Sequence, residues 1–374
     1  MRVVVNLKDF KSQLEDVAKA IKPKANTFYE YVFIDVDDWG RYKMAATHCR
    51  EYFTFEASGK FIESDTPGTF AIPAKKVLEC LKCKKDNLLT LESSEVNHTL
   101  KITIGELVFN LGSIDPEAYE FIQDIEPTTS ISLACSPFID LIETVSYATS
   151  NEPTKQVLCG IVLSCSNGEI SAGATDGHRL VMASLPGVYP VEDFEFVIPK
   201  IPLTKAIANL KKLQSEKLVL HFLDQSLHGD GGFLQIETKG FKASMTLTPG
   251  QYPNLSQLIP RQFNYEIDLD RQQVLTHLNM MDTLMVQFII NPGDTPSQLI
   301  PMDSDGSHPE LAATITIAPI KLAEGFTVRF QLKYVKETLQ NHKTKLVRMR
   351  VNTGKSPVIF GEHSSLIMPV QTRN

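Results

Sequence analysis

AGATDGHRLVMASLP, residues 172–186, is the stretch from which the rest of the chain can be interpreted. Small residues lead into a turn at Thr175, Asp176 and Gly177, and an apolar segment follows over residues 180–185. Asp-Gly is a turn dipeptide, because Asp tolerates left-handed backbone geometry and Gly adopts positive φ at little cost. The stretch therefore predicts two strands joined by a tight turn, with His178 and Arg179 at the mouth of that turn.

The side chains of this turn allow two interpretations from the residues alone. In the first, the turn belongs to an ordinary hairpin, and His178 and Arg179 are merely solvated. In the second, Asp176 and His178 form the acid–base pair of a DNA-acting hydrolytic enzyme. The stretch supplies no Ser or Cys nucleophile and no third orienting group, so a catalytic triad would be incomplete. The hairpin is the favoured interpretation, and the enzyme remains the alternative.

Length and composition limit the class of protein. The chain has 374 residues, which predicts two or three domains, and its 43% apolar and 22% charged content is typical of a globular protein. No apolar run approaches the roughly 20 residues that span a bilayer, and the N-terminus lacks the pattern of a signal peptide. Six scattered cysteines fit reduced thiols better than a disulfide framework. We therefore expect a cytoplasmic protein.

Three landmarks recur along the chain and predict a repeated domain. An amphipathic helix stands near the start of each third, with apolar residues three or four positions apart. A strand leading into a second helix begins at Phe70, Phe196 and Phe326, and the turn region recurs around Thr47, Thr175 and, more loosely, Ser307. We predict three similar α+β domains, residues 1–127, 128–261 and 262–374, each with two helices packed on antiparallel sheets.

The second helix of each repeat is basic. Residues 71–85, 200–217 and 329–345 each carry five basic residues and one acidic residue, a net charge of +4 in each segment on a chain of net charge −7. One such run usually marks a solvated face, but three at equivalent places predict a surface that faces duplex DNA. Lysines suit phosphate contact without base reading. The predicted DNA-contacting residues are Lys75, Lys76, Lys82, Lys205, Lys211, Lys212, Lys333 and Lys336.

Three stretches carry a resemblance to a known family. ATDGHRL at residues 174–180 resembles the signature of the bacterial sliding clamps, the beta subunits of DNA polymerase III. PGQYPNLSQLIP at 249–260 is similar to the run that closes the second domain in that family, and LIMPV at 366–370 is similar to its C-terminal tail. The resemblance implies a clamp fold that closes as a head-to-tail homodimeric ring, with helices inside and sheets outside. It implies a processivity factor that encircles double-stranded DNA and needs no cofactor or catalysis.

The resemblance also implies a pocket between domains 2 and 3. In the family this pocket binds a short apolar peptide carried by the polymerase III alpha subunit, the clamp loader and other clamp-binding proteins. Apolar residues with a few polar anchors suit such a site, and Met suits varied partners. Lys155 and Gln257 stand where many relatives have Arg, Gln331 stands at a frequent Asn position, and the tail 370–374 differs, so the peptide preference is expected to differ. The matching positions are Leu158, Thr175, Gly177, His178, Arg179, Leu180, Pro253, Leu258, Tyr334, Val358, Met368 and Pro369.

Further positions follow from the resemblance alone. It implies DNA contacts at Lys22, Lys24 and Lys155. It implies that a strand carrying Phe109 and Leu111 packs against domain 3 of the partner, with Met280 and Met281 as the opposing residues. A monomeric relative that binds partners without closing a ring is the second alternative.

Three other motifs predict nothing functional. DVDDWG at residues 35–40 is similar to the start of a calcium loop, but Ala46 stands where the bidentate Glu is required. Cys80 and Cys83 form a lone CxxC without a second pair for zinc. HGDGG at 228–232 runs into a strand, whereas a phosphate-binding glycine loop opens a helix. We interpret them as a strand turn, part of a helix and a hairpin turn.

Overall fold

The computed structural model describes residues 1–21, 27–48, 53–82, 87–94, 96–120, 126–223, 232–303, 312–361 and 364–371. The chain divides into two compact units: Met1–Ile139 with Ile201–Pro249, and Asp140–Lys200 with Gly250–Asn374. The division into three domains with boundaries at 127 and 261 remains a prediction. Within the described ranges, no helix is long and apolar enough to cross a membrane.

Six α-helices lie in the described residues, and they occur where the apolar spacing predicts them. The side chain of Asn6 accepts hydrogen bonds from the backbone N–H groups of Lys8 and Asp9, and Asp270 caps a later helix in the same way. The apolar positions that define each face are buried. The helices are α1 (Leu7–Ala18), α2 (Ala74–Cys80), α3 (Cys135–Ser146), α4 (Lys200–Leu213), α5 (Arg271–Met280) and α6 (Leu332–Asn341).

Strands make up most of the remaining regular structure. The first thirteen are β1 (Arg2–Asn6), β2 (Tyr31–Val36), β3 (Arg41–His48), β4 (Phe53–Lys60), β5 (Glu63–Ser64), β6 (Gly68–Pro73), β7 (Leu88–Ser94), β8 (Thr99–Ile104), β9 (Leu107–Gly112), β10 (Thr129–Ala134), β11 (Gly160–Ser166), β12 (Glu169–Thr175) and β13 (Arg179–Ser184). The others are β14 (Phe194–Pro199), β15 (Lys217–Leu223), β16 (Phe233–Thr238), β17 (Phe241–Thr246), β18 (Tyr265–Asp270), β19 (Met285–Ile290), β20 (Ser297–Met302), β21 (Ala313–Ile315), β22 (Ile317–Lys321), β23 (Phe326–Gln331), β24 (Leu346–Val351), β25 (Val358–Phe360) and β26 (Ser364–Ile367).

One pattern of strand pairing occurs three times along the chain. We call β1–β9 with α1 and α2 repeat 1, β10–β17 with α3 and α4 repeat 2, and β18–β26 with α5 and α6 repeat 3. The first strand of each repeat forms a row with the last three strands, in the orders β1-β7-β8-β9, β10-β15-β16-β17 and β18-β24-β25-β26. Four further strands of each repeat pair as β6-β2-β3-β4, β14-β11-β12-β13 and β23-β19-β20-β21, while β5 and β22 are additional strands beside β1 and β18. The pairings between the described strands are antiparallel, which confirms the predicted α+β class.

The first compact unit contains two sheets. The five-stranded sheet has the order β5-β1-β7-β8-β9, and the eight-stranded sheet has the order β10-β15-β16-β17-β4-β3-β2-β6. The eight-stranded sheet is continuous because β17 of repeat 2 pairs with β4 of repeat 1, with Ala243 opposite Phe55. Phe10 and Leu14 of α1 are fully buried in this unit.

The second compact unit also contains two sheets. The nine-stranded sheet has the order β14-β11-β12-β13-β26-β25-β24-β18-β22, and the four-stranded sheet has the order β21-β20-β19-β23. Here β13 of repeat 2 pairs with β26 of repeat 3, with Leu180 opposite Leu366. A core that includes Val274, Leu278 and Phe330 lies beneath α5 and α6. This join places the stretch 172–186 beside the chain's C-terminal strand.

The three motifs without a predicted function have ordinary places in the fold or lie beyond its described part. Asp37 accepts hydrogen bonds from the backbone N–H groups of Trp39 and Arg41, which confirms a strand turn between β2 and β3. Cys80 is the last residue of α2, and Cys83 lies outside the described residues. Of HGDGG, only Gly232 is described, just before β16.

Candidate functional site: a fastened turn with exposed apolar residues

The turn between β12 and β13 is held by side chains at both ends. Thr175 Oγ1 accepts a hydrogen bond from the N–H of Gly177 (3.1 Å) and donates one to the carbonyl of Arg179 (2.6 Å). Asp176 Oδ1 accepts from the N–H groups of His178 (2.9 Å) and Arg179 (3.1 Å). Gly177 has a φ of 94° and open space around its Cβ position, so the backbone angle, and not a close contact within the chain, requires glycine.

Arg179 is not solvated, so the first interpretation of its side chain was wrong. Only 4% of the side chain is exposed, and its Nε lies 3.0 Å from Asp176 Oδ2. Its guanidinium also donates to Glu337 Oε2 (2.5 Å) and to the carbonyl of Tyr147 (2.7 Å). Burial of a guanidinium is tolerated because these carboxylates and this carbonyl satisfy its charge and donors. His178, in contrast, is exposed.

A small apolar cluster supports the turn. Leu180, Tyr252 and Leu366 are buried in it, and the partly buried Leu158 packs against it. The hydroxyl of Tyr252 accepts a hydrogen bond from the buried N–H of Thr175 (3.1 Å). Burial raises the pKa of the Tyr252 phenol to about 12, so the hydroxyl keeps its proton at neutral pH. The cluster therefore fixes the strand end on which the turn stands.

The C-terminal segment is fastened beside the turn. The N–H of Met368 donates to the carbonyl of His178 (2.9 Å), and the N–H of Val370 donates to the carbonyl of Arg329 (2.9 Å). Pro369 is buried, whereas 41% of Met368 is exposed. Leu258, at the end of the 3-10 helix Leu255–Leu258, is 53% exposed. Met368 thus adjoins the turn, and Leu258 lies between Leu255 and Ile259 of the apolar cluster. Exposed large apolar residues on such a fixed support are typical of a ligand-binding surface.

The twelve predicted pocket residues all lie in the second compact unit and differ in exposure. Leu180, Val358, Thr175, Arg179 and Pro369 are buried and form the support of the site. Leu158 and Tyr334 are half-buried. The exposed members are Gly177, His178, Pro253, Leu258 and Met368.

The acid–base pair of the enzyme alternative is not formed. Asp176 accepts from the backbone N–H of His178, and its second oxygen pairs with Arg179. The His178 ring instead lies 6.3 Å from the Tyr334 ring, at an angle of 22° between the two planes. Asp176 therefore stabilises the turn and is not placed to act with the His178 ring as an acid–base pair.

Sequence reasoning missed three residues around Arg179. Glu337 lies one helical turn after Tyr334 on α6, and this i, i+3 spacing is the only sequence signal for it. Tyr147 and Lys200 gave no signal. Burial, followed by the charge of Arg179, lowers the pKa of Lys200. Burial, followed by the charge of Asp176, raises the pKa of the Tyr334 phenol.

The DNA-contacting lysines predicted from the basic segments lie on or just after the second helices, and those implied by the resemblance lie elsewhere. Lys205 and Lys336 are half-exposed, and Lys205 Nζ lies 5.2 Å from the centre of the Phe53 ring. Lys155 pairs with Glu152 at 3.0 Å. Lys22 and Lys24 lie outside the described residues. The exposed members are Lys75, Lys76, Lys82, Lys211, Lys212 and Lys333.

Lys212 differs from the other lysines in its partners. Its ammonium group lies 3.0 Å from Asp16 Oδ1 and 3.7 Å from Glu15 Oε2, and it donates to the carbonyl of Ser12. Asp16 is buried, and Lys19 also pairs with it at 3.4 Å. Lys212 is therefore exposed but already ion-paired, and it joins α4 to α1.

The predicted interface residues lie at two places. Phe109 and Leu111 are half-buried on β9, the edge strand of the five-stranded sheet. Met280 is 69% exposed at the end of α5, whereas Met281 is buried in the core of its own unit. Of the two methionines, Met280 is therefore the one that a partner can reach.

Comparison with known proteins shows related sequences. A family model described as the DNA polymerase III beta subunit, central domain, matches residues 132–254. The beta sliding clamp of Synechococcus elongatus is 24% identical over 328 residues, which cover 82% of this chain and 82% of that protein. The beta sliding clamp of Chlamydia pneumoniae is 25% identical over 317 residues, 81% of each chain.

Solved structures share the fold over the whole chain. The DNA polymerase III subunit beta of Pseudomonas aeruginosa superposes with a TM-score of 0.88 at 18% identity, and the DNA polymerase sliding clamp of Bacillus subtilis with a TM-score of 0.85 at 19% identity. Each comparison covers 100% of both chains. At these identities the likeness establishes the fold.

Proposed function

We propose that the chain belongs to the bacterial beta sliding clamp family and is the non-catalytic processivity factor of a DNA polymerase III. Two chains, each of three domains with boundaries near 127 and 261, close head to tail into a ring around double-stranded DNA. The ring tethers the polymerase to its template in the cytoplasm. The observation that supports this proposal is the pair of unpaired strand edges at β9 and β21 in the described part of the chain.

Strand pairing between repeats follows one rule. The fourth strand of repeat 1, β4, pairs with the last strand of repeat 2, β17, and β13 of repeat 2 pairs with β26 of repeat 3. The equivalent strand of repeat 3 is β21, and the last strand of repeat 1 is β9; both are sheet edges among the described residues. Applied once more, the rule pairs β21 of one protomer with β9 of its partner. Two such joins close a dimer with no free edge of this kind.

Exposure along β9 supports this pairing. Leu107, Phe109 and Leu111 on β9 stand opposite buried residues of β8 but are themselves only half-buried. The equivalent residues of β17, among them Ala243 and Met245, are fully buried where β4 pairs with that strand. An unpaired edge with an apolar row favours addition of another strand. We propose that β21 of the partner covers this row.

The exposed Met280 supports the same join. Asn6 caps α1 and Asp270 caps α5, so counting from each cap makes Asp16 and Met280 equivalent positions. In repeat 1, residues of α4 cover Asp16, including Lys212. We propose that the partner's α2 covers Met280 in the corresponding way, because α2 is the equivalent second helix at that join.

The DNA-facing surface and the peptide site complete the proposal. The exposed lysines of α2, α4 and α6 contact phosphates without reading bases, which permits sliding. The turn 175–179 with Leu258 and Met368 binds the apolar peptide of the polymerase III alpha subunit, the clamp loader and other partners. Its few exposed anchors on a fixed support suit one short peptide at a time.

Retention on DNA tests the topology. The protein is loaded on nicked circular DNA, which is then cut once; we expect retention on circles and release after linearisation. Replacing Phe109 and Leu111 by Ser should convert the dimer to a monomer in native mass spectrometry and abolish retention. Val108→Ser is the matched control, because Val108 is an exposed apolar residue on the opposite face of β9. Equal retention on circular and linear DNA would exclude encirclement.

A further inference from the structure

The guanidinium of Arg179 is committed to groups within its own compact unit. Its Nε pairs with Asp176 of the turn, one Nη donates to Glu337 of α6, and the other Nη donates to the carbonyl of Tyr147, just after α3. The side chain is 4% exposed. Three separate elements therefore meet at one buried cation. Such a group stabilises the arrangement of its partners and presents almost no surface to a ligand.

Tyr334 is the ligand-accessible residue that this arrangement holds. Arg179 Cζ lies 4.6 Å from the centre of the Tyr334 ring, within the range of a cation–π interaction. Burial, followed by the charge of the nearby Asp176 carboxylate, raises the pKa of the Tyr334 phenol. His178 lies nearly parallel to the same ring. The Tyr334 ring therefore rests against the guanidinium of Arg179, which Asp176 holds in place.

The Glu337 carboxylate balances the positive charge of Arg179, which contacts the Tyr334 ring. Its carboxylate lies 2.5 Å from Arg179 and 3.8 Å from Lys333, and its side chain is 31% exposed. Lys200 adds further positive charge close to Arg179. Without the Glu337 carboxylate, Arg179 would keep one charged partner, Asp176, and face two nearby ammonium groups. Removing one partner of a buried charge pair is costly, because the other charge is left uncompensated.

We infer that Glu337 is a positioning residue of the peptide site, which sets the orientation of the Tyr334 ring through Arg179. This inference rests on the proposed function of the site. It also changes the assignment of Arg179 from a ligand anchor to an internal support. Sites whose contacting side chains are fixed by a supporting layer lose affinity when that layer is loosened.

Peptide affinity in a double-mutant cycle tests the inference. A fluorescent peptide from the clamp-binding segment of a polymerase alpha subunit is titrated against the full-length dimer. We expect Glu337→Gln to weaken binding about tenfold. The matched control is Glu266→Gln, whose carboxylate is 27% exposed and pairs with Arg350 at 3.6 Å on the sheet; its effect should stay within about twofold. In a Tyr334→Leu background, Glu337→Gln should change the affinity by no more than about twofold.

The ring-current shift of the His178 ring protons gives a readout without peptide. Glu337→Gln should move these resonances in the proton NMR spectrum, and Glu266→Gln should not. If Glu337→Gln fails to fold by thermal unfolding, Glu337→Asp, which keeps the charge but shortens the reach, replaces it. Additive effects in the cycle, or unmoved His178 resonances, would overturn the inference. A wild type that binds no peptide would instead refute the proposed function, while the NMR comparison would still decide the role of Glu337.

Discussion

Combined truncation of Leu258 and Met368 to Ala should separate peptide binding from ring formation. These residues are the large apolar side chains of the site that remain exposed, at 53% and 41%. A peptide that covers them would remove roughly half of each side chain from water. Both also stand apart from the predicted strand edges of the ring. The double variant should therefore bind peptide weakly and still form the dimer.

The expected loss of affinity follows from the apolar surface of Leu258 and Met368 that a bound peptide would cover. Full burial of a Leu or Met side chain contributes about 1.5–3 kcal/mol, so covering about half of one contributes roughly 1 kcal/mol. The two truncations together should cost about 2 kcal/mol, or about thirtyfold in affinity. The backbone hydrogen bond from Met368 to His178 remains in the alanine variant. The fastened tail should therefore stay in place, and the weaker binding should report the missing apolar side chains.

Fluorescence titration of the peptide measures the change in affinity, and native mass spectrometry measures the dimer. The matched control is Leu346→Ala with Ile320→Ala, because these residues are 48% and 51% exposed in the same unit but lie on β24 and β22, away from the turn. The control should change peptide affinity by less than about twofold. Unchanged affinity in the Leu258/Met368 variant would remove this surface from the function. Dissociation of the dimer in that variant would show that the tail is needed for the fold.

Two further predictions concern the lysines and the buried tyrosines. Lys75→Glu with Lys76→Glu should weaken DNA association at an unchanged melting temperature, and the dependence of log affinity on log salt concentration should become shallower by about 0.9 for each phosphate that is no longer neutralised. Lys212→Glu should instead lower the melting temperature, because it places a third carboxylate beside Glu15 and Asp16. An unshifted melting temperature for Lys212→Glu would contradict the proposed tie between α4 and α1. Burial raises the pKa of Tyr119 and Tyr252 to about 12, so the stability these phenols contribute is complete below pH 10 and lost as pH rises towards 12. Chemical unfolding between about pH 10 and 12 should show the free energy of unfolding decline. Tyr252→Phe should make that decline less steep, and it should cost about 1–3 kcal/mol at neutral pH because the N–H of Thr175 loses its partner. An equally steep decline in the variant would exclude Tyr252 as a source.

Local signals in the sequence predicted the elements that depend on near neighbours. The apolar spacing of Phe10, Leu14 and Val17 predicts a helix face because 3.6 residues complete one turn, and that face is buried. Asp176 and Gly177 predict the turn because their backbone preferences are intrinsic, and Gly177 indeed has positive φ. The landmark at Phe70, Phe196 and Phe326 likewise falls on equivalent strands in three copies of one strand order, whereas Ser307 lies outside the described residues.

Ion pairs and strand pairings between residues far apart in the chain could not be predicted from local sequence signals. A count of charges treats Lys211 and Lys212 alike, but the partner that holds Lys212, Asp16, is 196 positions away in the chain. Arg179 looked like a solvated residue or a ligand anchor because Glu337, 158 positions later, has no local relation to it. The joins β4–β17 and β13–β26 are also long-range pairings, whose register depends on which faces become buried.

The arrangement of the site also explains how a short peptide can be bound by so few exposed residues. Association must offset the ordering of any loop that closes on the ligand, and that cost falls when the site is rigid beforehand. Here the turn is fixed by Thr175 and Asp176, its outgoing strand pairs with β26, and the tail is tied to it through Met368. The polar groups of the site are largely committed to this rigidity, so Leu258 and Met368 can supply binding energy without first being ordered. Affinity should consequently respond to loosening of the support, as at Glu337, as strongly as to truncation of an exposed apolar side chain.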